Sequence, residues 1–67
     1  MIVINAEIIN DFIKNNNLTK KQFAKECNIS TYMLRKIYNY ENNIRVGVLY
    51  KLAKYLKISA NILLVDK

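Results

Sequence analysis

The sequence predicts an all-α fold, a compact bundle of five short helices. Three observations carry that expectation: apolar residues recur at spacings of three and four, proline is absent with glycine used once, and 52% of only 67 residues are apolar. The spacing lines one face of a helix. Scarce Pro and Gly remove the usual signals for strands joined by tight turns. The apolar fraction is too high for a disordered segment. A chain of this length is expected to make one domain, close to the lower limit for a self-sufficient core, with no linker or repeat.

Met1 to Ile4 is apolar and leads to Asn5, a candidate N-cap. Ile8, Ile9, Phe12 and Ile13 then line a first helix, with Glu7 early in it, where the helix dipole favours negative charge. The asparagines at 15–17 stop it. Thr19 caps a second helix with Phe23, Ala24 and Cys27 inside and lysines outside. Asn28 interrupts it, asparagine being one of the few non-glycine residues that tolerate a left-handed backbone. Ser30 caps a third helix that buries Leu34 and Ile37 and shows Thr31, Tyr32, Arg35, Lys36 and Asn39. Two short helices, a turn of about three residues and a basic outer face make a helix-turn-helix.

A polar loop, Glu41 to Ile44, leads to a fourth helix from Arg45. Val46, Leu49, Leu52, Ala53 and Leu56 are expected to face inward, and Lys51, Lys54 and Lys57 to lie on a solvated face. Gly47 lies in its first turn, where fraying softens the usual penalty of about 1 kcal/mol. Ser59 is expected to cap a last short turn through Asn61 to Leu64.

Charge indicates the partner. Eleven basic against five acidic side chains give +6, with no histidine. Between Lys20 and Lys36 five are basic and one is acidic, so +4 sits on the helix-turn-helix. A partner of dense negative charge is favoured. Catalysis has no histidine base, no glycine-rich phosphate loop and no metal-ligand cluster, so no enzyme activity and no cofactor are expected. Glu7 and Asp11 read as a solvated pair. Cys27 is alone, so there is no disulfide framework, and it reads as a small buried apolar group in a reducing interior. No apolar run approaches the ~18 residues of a membrane span, and Glu7 and Asp11 argue against a signal peptide. The tyrosines lie along helices rather than on the stacking platforms an RNA binder uses.

Leu18-Thr19, Ala24, Ile29-Ser30, Leu34, Ile37, Leu49, Leu52-Ala53-Lys54, Leu56, Ile58-Ser59 and Leu63-Leu64 form an ordered set. Through them, from about Leu18 to Leu64, the chain resembles the phage-repressor family of helix-turn-helix proteins, the Cro/cI or XRE type. The resemblance implies a lambda-repressor-like domain that binds double-stranded DNA and acts as a small Cro-like repressor. It also implies a homodimer whose half-sites lie about one helical turn, roughly 34 Å, apart. The third helix would lie in the major groove, with Thr31, Tyr32 and Lys36 reading bases and Ser30 and Arg35 beside them. Lys36 suits guanine O6 and N7, and Thr31 and Tyr32 suit a base edge or a thymine methyl. The alternative for Lys36 and Arg35 is phosphate contact alone, and for Tyr32 a shield over the helix pair. Phosphate contacts would come from Lys20, where the family often has glutamine, and from Asn39, Asn42, Asn43 and Arg45. Asn39 could instead be a plain C-cap.

Three departures accompany the likeness. Asn17 stands where the family often has glycine. Ile13 and Tyr38 replace a common arginine–glutamate pair, and Ile13 is expected to pack on the Tyr38 ring. Tyr40 replaces a glycine, which leaves the loop after the third helix less predictable. Small members of the family also serve as antitoxins, so a toxin or another protein partner is the alternative reading. Ile2, Val3 and Ile4 with Ile62, Leu64 and Val65 supply apolar surface near both termini, which suggests a symmetric dimer through the C-terminal end. A cytoplasmic protein of bacterial or phage origin fits the richness in asparagine, lysine and isoleucine.

Overall fold

The computed structural model describes residues 1–67 and runs β1 (Ile2–Ile4), α1 (Ala6–Asn15), α2 (Lys20–Cys27), α3 (Thr31–Tyr38), α4 (Val46–Leu56), α5 (Ala60–Leu63) and β2 (Leu64–Asp66). The first three helices begin at capping side chains. Asn5 Oδ1 accepts from the Glu7 amide at 3.1 Å, and Ser30 Oγ from the Met33 amide at 3.0 Å. Thr19 and Gln22 cap each other reciprocally, through bonds of 3.0 and 2.8 Å. The last two start differently. Arg45 and Ser59 make no side-chain capping bond, so the cap expected of the Ser59 hydroxyl is absent.

Each of the four longer helices stops in the same way. Asn17, Asn28, Tyr40 and Lys57 adopt φ of 53°, 62°, 56° and 59°. After each of them the next amide reaches back to the helix: Leu18 to Ile13, Ile29 to Ala24, Glu41 to Lys36 and Ile58 to Ala53, at 2.9 to 3.2 Å. These are Schellman stops, a role usually given to glycine. None of the four is glycine. The one glycine, Gly47, lies in the first turn of α4 with open space around it.

Ile4, Ala6, Ile9, Phe23, Ala24, Cys27, Leu34, Ile37, Leu52, Ala53 and Leu63 form one buried cluster. At its edge Phe12, Phe23 and Tyr55 meet edge to face, with ring centroids 5.4 to 5.9 Å apart. No side-chain polar atom is buried without a partner.

The five helices are as expected, and one small element is added to them. Ile2–Ile4 and Leu64–Asp66 pair as an antiparallel ribbon, Val3 opposite Val65. The Met1 ammonium donates to Asp66 Oδ1 at 2.6 Å, and the Lys67 amide to the Met1 carbonyl at 2.8 Å. Val3 and Ile4 are buried, so much of the terminal apolar surface is covered by the chain itself. No helix is long and apolar enough to cross a membrane.

Candidate nucleic-acid interface

The turn between α2 and α3 is built from three residues. Asn28 turns left-handed, Ile29 tucks against the core, and Ser30 opens α3. Ala24, almost fully buried, is small enough to let the two helices approach closely. α4 holds this unit from behind at two points one turn apart. Lys51 Nζ donates to the Asn28 carbonyl at 3.1 Å, and the Tyr55 hydroxyl donates to Glu26 Oε1 at 2.7 Å. Lys51 is therefore not simply a member of a solvated face. Its position four residues before Tyr55 was the available clue, because residues so spaced share a helix face.

The chemistry around this brace shifts two acids. The bond to Glu26, with burial and the nearby negative charge added, pushes the Tyr55 phenol up to about 12. Burial raises the Cys27 thiol, and the Lys51 ammonium pulls weakly the other way.

The outer side of α3 is open. Thr31, Tyr32 and Arg35 are exposed, Tyr32 at 64%. Ser30 is exposed at the helix start, with a lone pair committed to the Met33 amide. To one side, Lys20, Thr31, Leu34, Arg35, Tyr38 and Asn39 line a shallow cleft. Lys20 Nζ sits 4.3 Å from the Tyr38 ring centroid, a cation–π contact. The Tyr38 hydroxyl donates to Asn10 Oδ1 at 2.6 Å, so α1 and α3 are joined by a hydrogen bond. Ile13 and Tyr38 both lie half-buried against the core. Burial raises the Tyr38 phenol.

To the other side, Lys36, Asn43, Arg45 and Lys51 line a second cleft with Met33, Gly47 and Val48. Lys36 is half-buried rather than fully on the outer face, with Nζ 5.9 Å from the Tyr32 ring centroid. Asn42 stands apart from this group. It lines an apolar cleft with Ile2, Val3, Ile4, Glu41, Ile44, Val46, Leu49 and Leu64. The structure thus groups nine of the ten residues expected to meet DNA around α3, adds Lys51, and sets Asn42 to one side.

A family model described as a helix-turn-helix matches residues 9–63, most of the chain. The comparisons with curated proteins and with solved structures found no match. Both the match and the α2–turn–α3 geometry lead to one conclusion: the chain belongs to the Cro/cI-like, XRE-type helix-turn-helix family of DNA-binding regulators.

Proposed function

We propose that the protein is a sequence-specific repressor of transcription, binding a two-fold operator as a dimer with α3 in the major groove. The observation that carries this reading is an exposed helical crest, Thr31, Tyr32 and Arg35, with cations in the clefts on both sides. An α-helix, about 10–12 Å across with its side chains, suits the ~12 Å major groove. The flanking Lys20, Lys36 and Arg45 meet the phosphate ridges or the base edges beside them.

The roles divide by place. Thr31 and Tyr32 contact base edges or thymine methyls, and Lys36 crosses beneath Tyr32 to reach a guanine. Ser30 keeps its hydroxyl hydrogen for a neighbouring acceptor, and Arg35 spans base and backbone. Lys20 and Asn39 hold phosphate on one side, Asn43 and Arg45 on the other, with Asn42 at the outer margin. Lys20 is held over the Tyr38 ring beside this phosphate site. Selection of binding sites from random duplexes across a salt series tests the proposal. A palindromic motif is the expected result. A flat profile at every salt concentration overturns it and leaves a protein-holding scaffold as the reading.

A further inference from the structure

Tyr38 lies where three helices meet. Its ring is half-buried against the core at the end of α3. Its hydroxyl donates to Asn10 Oδ1 of α1 at 2.6 Å. Lys20, the opening residue of α2, brings its ammonium to 4.3 Å from the centroid of the same ring. Packing behind the ring and a hydrogen bond at its far end leave the phenol little freedom, so its face is a fixed support for a long cationic side chain. Tyr32 offers no such support: it is 64% exposed, and Lys36 Nζ stands 5.9 Å from its centroid.

Helix stability does not account for a lysine at position 20. A cation in the first turn faces the positive end of the helix dipole, and α2 has no acidic residue there to offset it. The one ion pair of the molecule joins the Met1 ammonium to Asp66, so no carboxylate holds Lys20. Its charge is left unneutralised. Lys20 lines a cleft of about 380 Å³ with Thr31, Leu34, Arg35, Tyr38 and Asn39, which contains a second cation and no acid. Such a cleft favours an anion at its mouth.

We infer that Tyr38 is a positioning residue for DNA, holding the Lys20 ammonium where a backbone phosphate of the duplex meets the cleft. A free lysine gives up side-chain freedom when it pairs with a phosphate. Here the ring restricts the side chain before DNA arrives, so less is lost on binding. The inference rests on the phosphate role of Lys20 proposed above and adds the residue on which that role depends. A cation–π contact of this exposed kind corresponds to about a two- to fivefold gain in affinity.

A double-mutant cycle on binding to a short duplex of mixed sequence at low salt tests this inference. Y38L should weaken binding about two- to fivefold when Lys20 is present, and by less than about 1.5-fold when Lys20 is already methionine. Y38F retains the ring and should bind like wild type. A tyrosine that only supports the fold gives a different pattern, with Y38L lowering affinity equally in the wild-type and K20M backgrounds. Equal losses overturn the inference, and so does a Y38L chain that binds like wild type. Proton NMR of the DNA-free wild-type chain adds a check that does not depend on how well Y38L folds. The Lys20 ε-methylene protons should be shifted upfield by the ring current, and unshifted resonances also overturn the inference. If the duplex binds wild type and K20M equally well, Lys20 meets no phosphate; the inference then fails while the rest of the proposed interface stands. If wild type binds no duplex at any salt concentration, the repressor reading fails together with the inference.

Discussion

Replacing Lys57 by glycine should leave the protein more stable than replacing it by alanine, although both changes delete the same ammonium. Lys57 ends α4 at φ 59°, ψ 41°. An L-residue pays roughly 1–2 kcal/mol for that left-handed conformation, because its Cβ crowds the following carbonyl. Glycine pays no such cost but has more freedom to lose from the unfolded chain, about 0.4–1 kcal/mol. The difference leaves about 0.5–1 kcal/mol in favour of K57G over K57A. Alanine is the proper reference, since both variants remove the same ammonium, its interaction with the end of the helix dipole and its repulsion from Lys54. For a domain of this size that is a rise of about 2–8 °C in Tm. Urea unfolding followed by circular dichroism, with wild type, K57A and K57G in parallel, measures it. If K57G is no more stable than K57A, the left-handed stop is not what sets the energy of this helix end.

Other predictions concern the site. K36A should cost about 1–3 kcal/mol in binding and relax base preference at one operator position, whereas K20A should weaken all sequences alike and lower the salt slope by about 0.9. A uniform loss in K36A would show that Lys36 only contacts phosphate. K51M should loosen the turn, lowering amide protection at Asn28–Ser30 and stability by about 1 kcal/mol, and K51R should restore both; unchanged protection in K51M would remove the brace. Tyr55 ionises near 12 in the fold, above the ordinary phenol value of about 10. Its neutral form is the stabilised one, so its contribution is complete below pH 10 and lost as the pH rises toward 12. Wild type should therefore lose more stability than Y55F over that interval, and equal losses would count against the Glu26 bond.

Much of this arrangement was legible locally. Asn5, Thr19 and Ser30 announce helix starts because a cap acts within three residues, and the buried stripe through Phe23, Leu34, Ile37 and Leu52 follows from spacing alone. Thr31, Tyr32 and Arg35 fall on the open side of α3 for the same reason. The terminal ribbon was not legible. Its two strands have three residues each and pair across almost the full length of the chain, so no short window contains the signal. Nor was the left-handed Tyr40, a residue type that gives no hint of such a backbone. Its ring lies under Lys67 Nζ at 4.3 Å, a contact from the far end of the sequence that accompanies the conformation. The reach of Lys51 depends on how α4 sits against α2, which helical periodicity does not encode.

α4 has two working flanks. Lys51 and Tyr55 grip the α2–α3 unit on one, while Val46 and Leu49 line the terminal cleft on the other. In the dimer proposed above, the rigid seating of the helix-turn-helix on α4 in each copy would set the gap between the two probing helices. One inserted base pair displaces a half-operator by about 3.4 Å and rotates it around the duplex axis. A rigidly joined pair would have no slack with which to follow. Tolerance of altered operator spacing would have to come from twisting and bending of the DNA, so the letters between the half-sites, which no side chain touches, would matter through their stiffness.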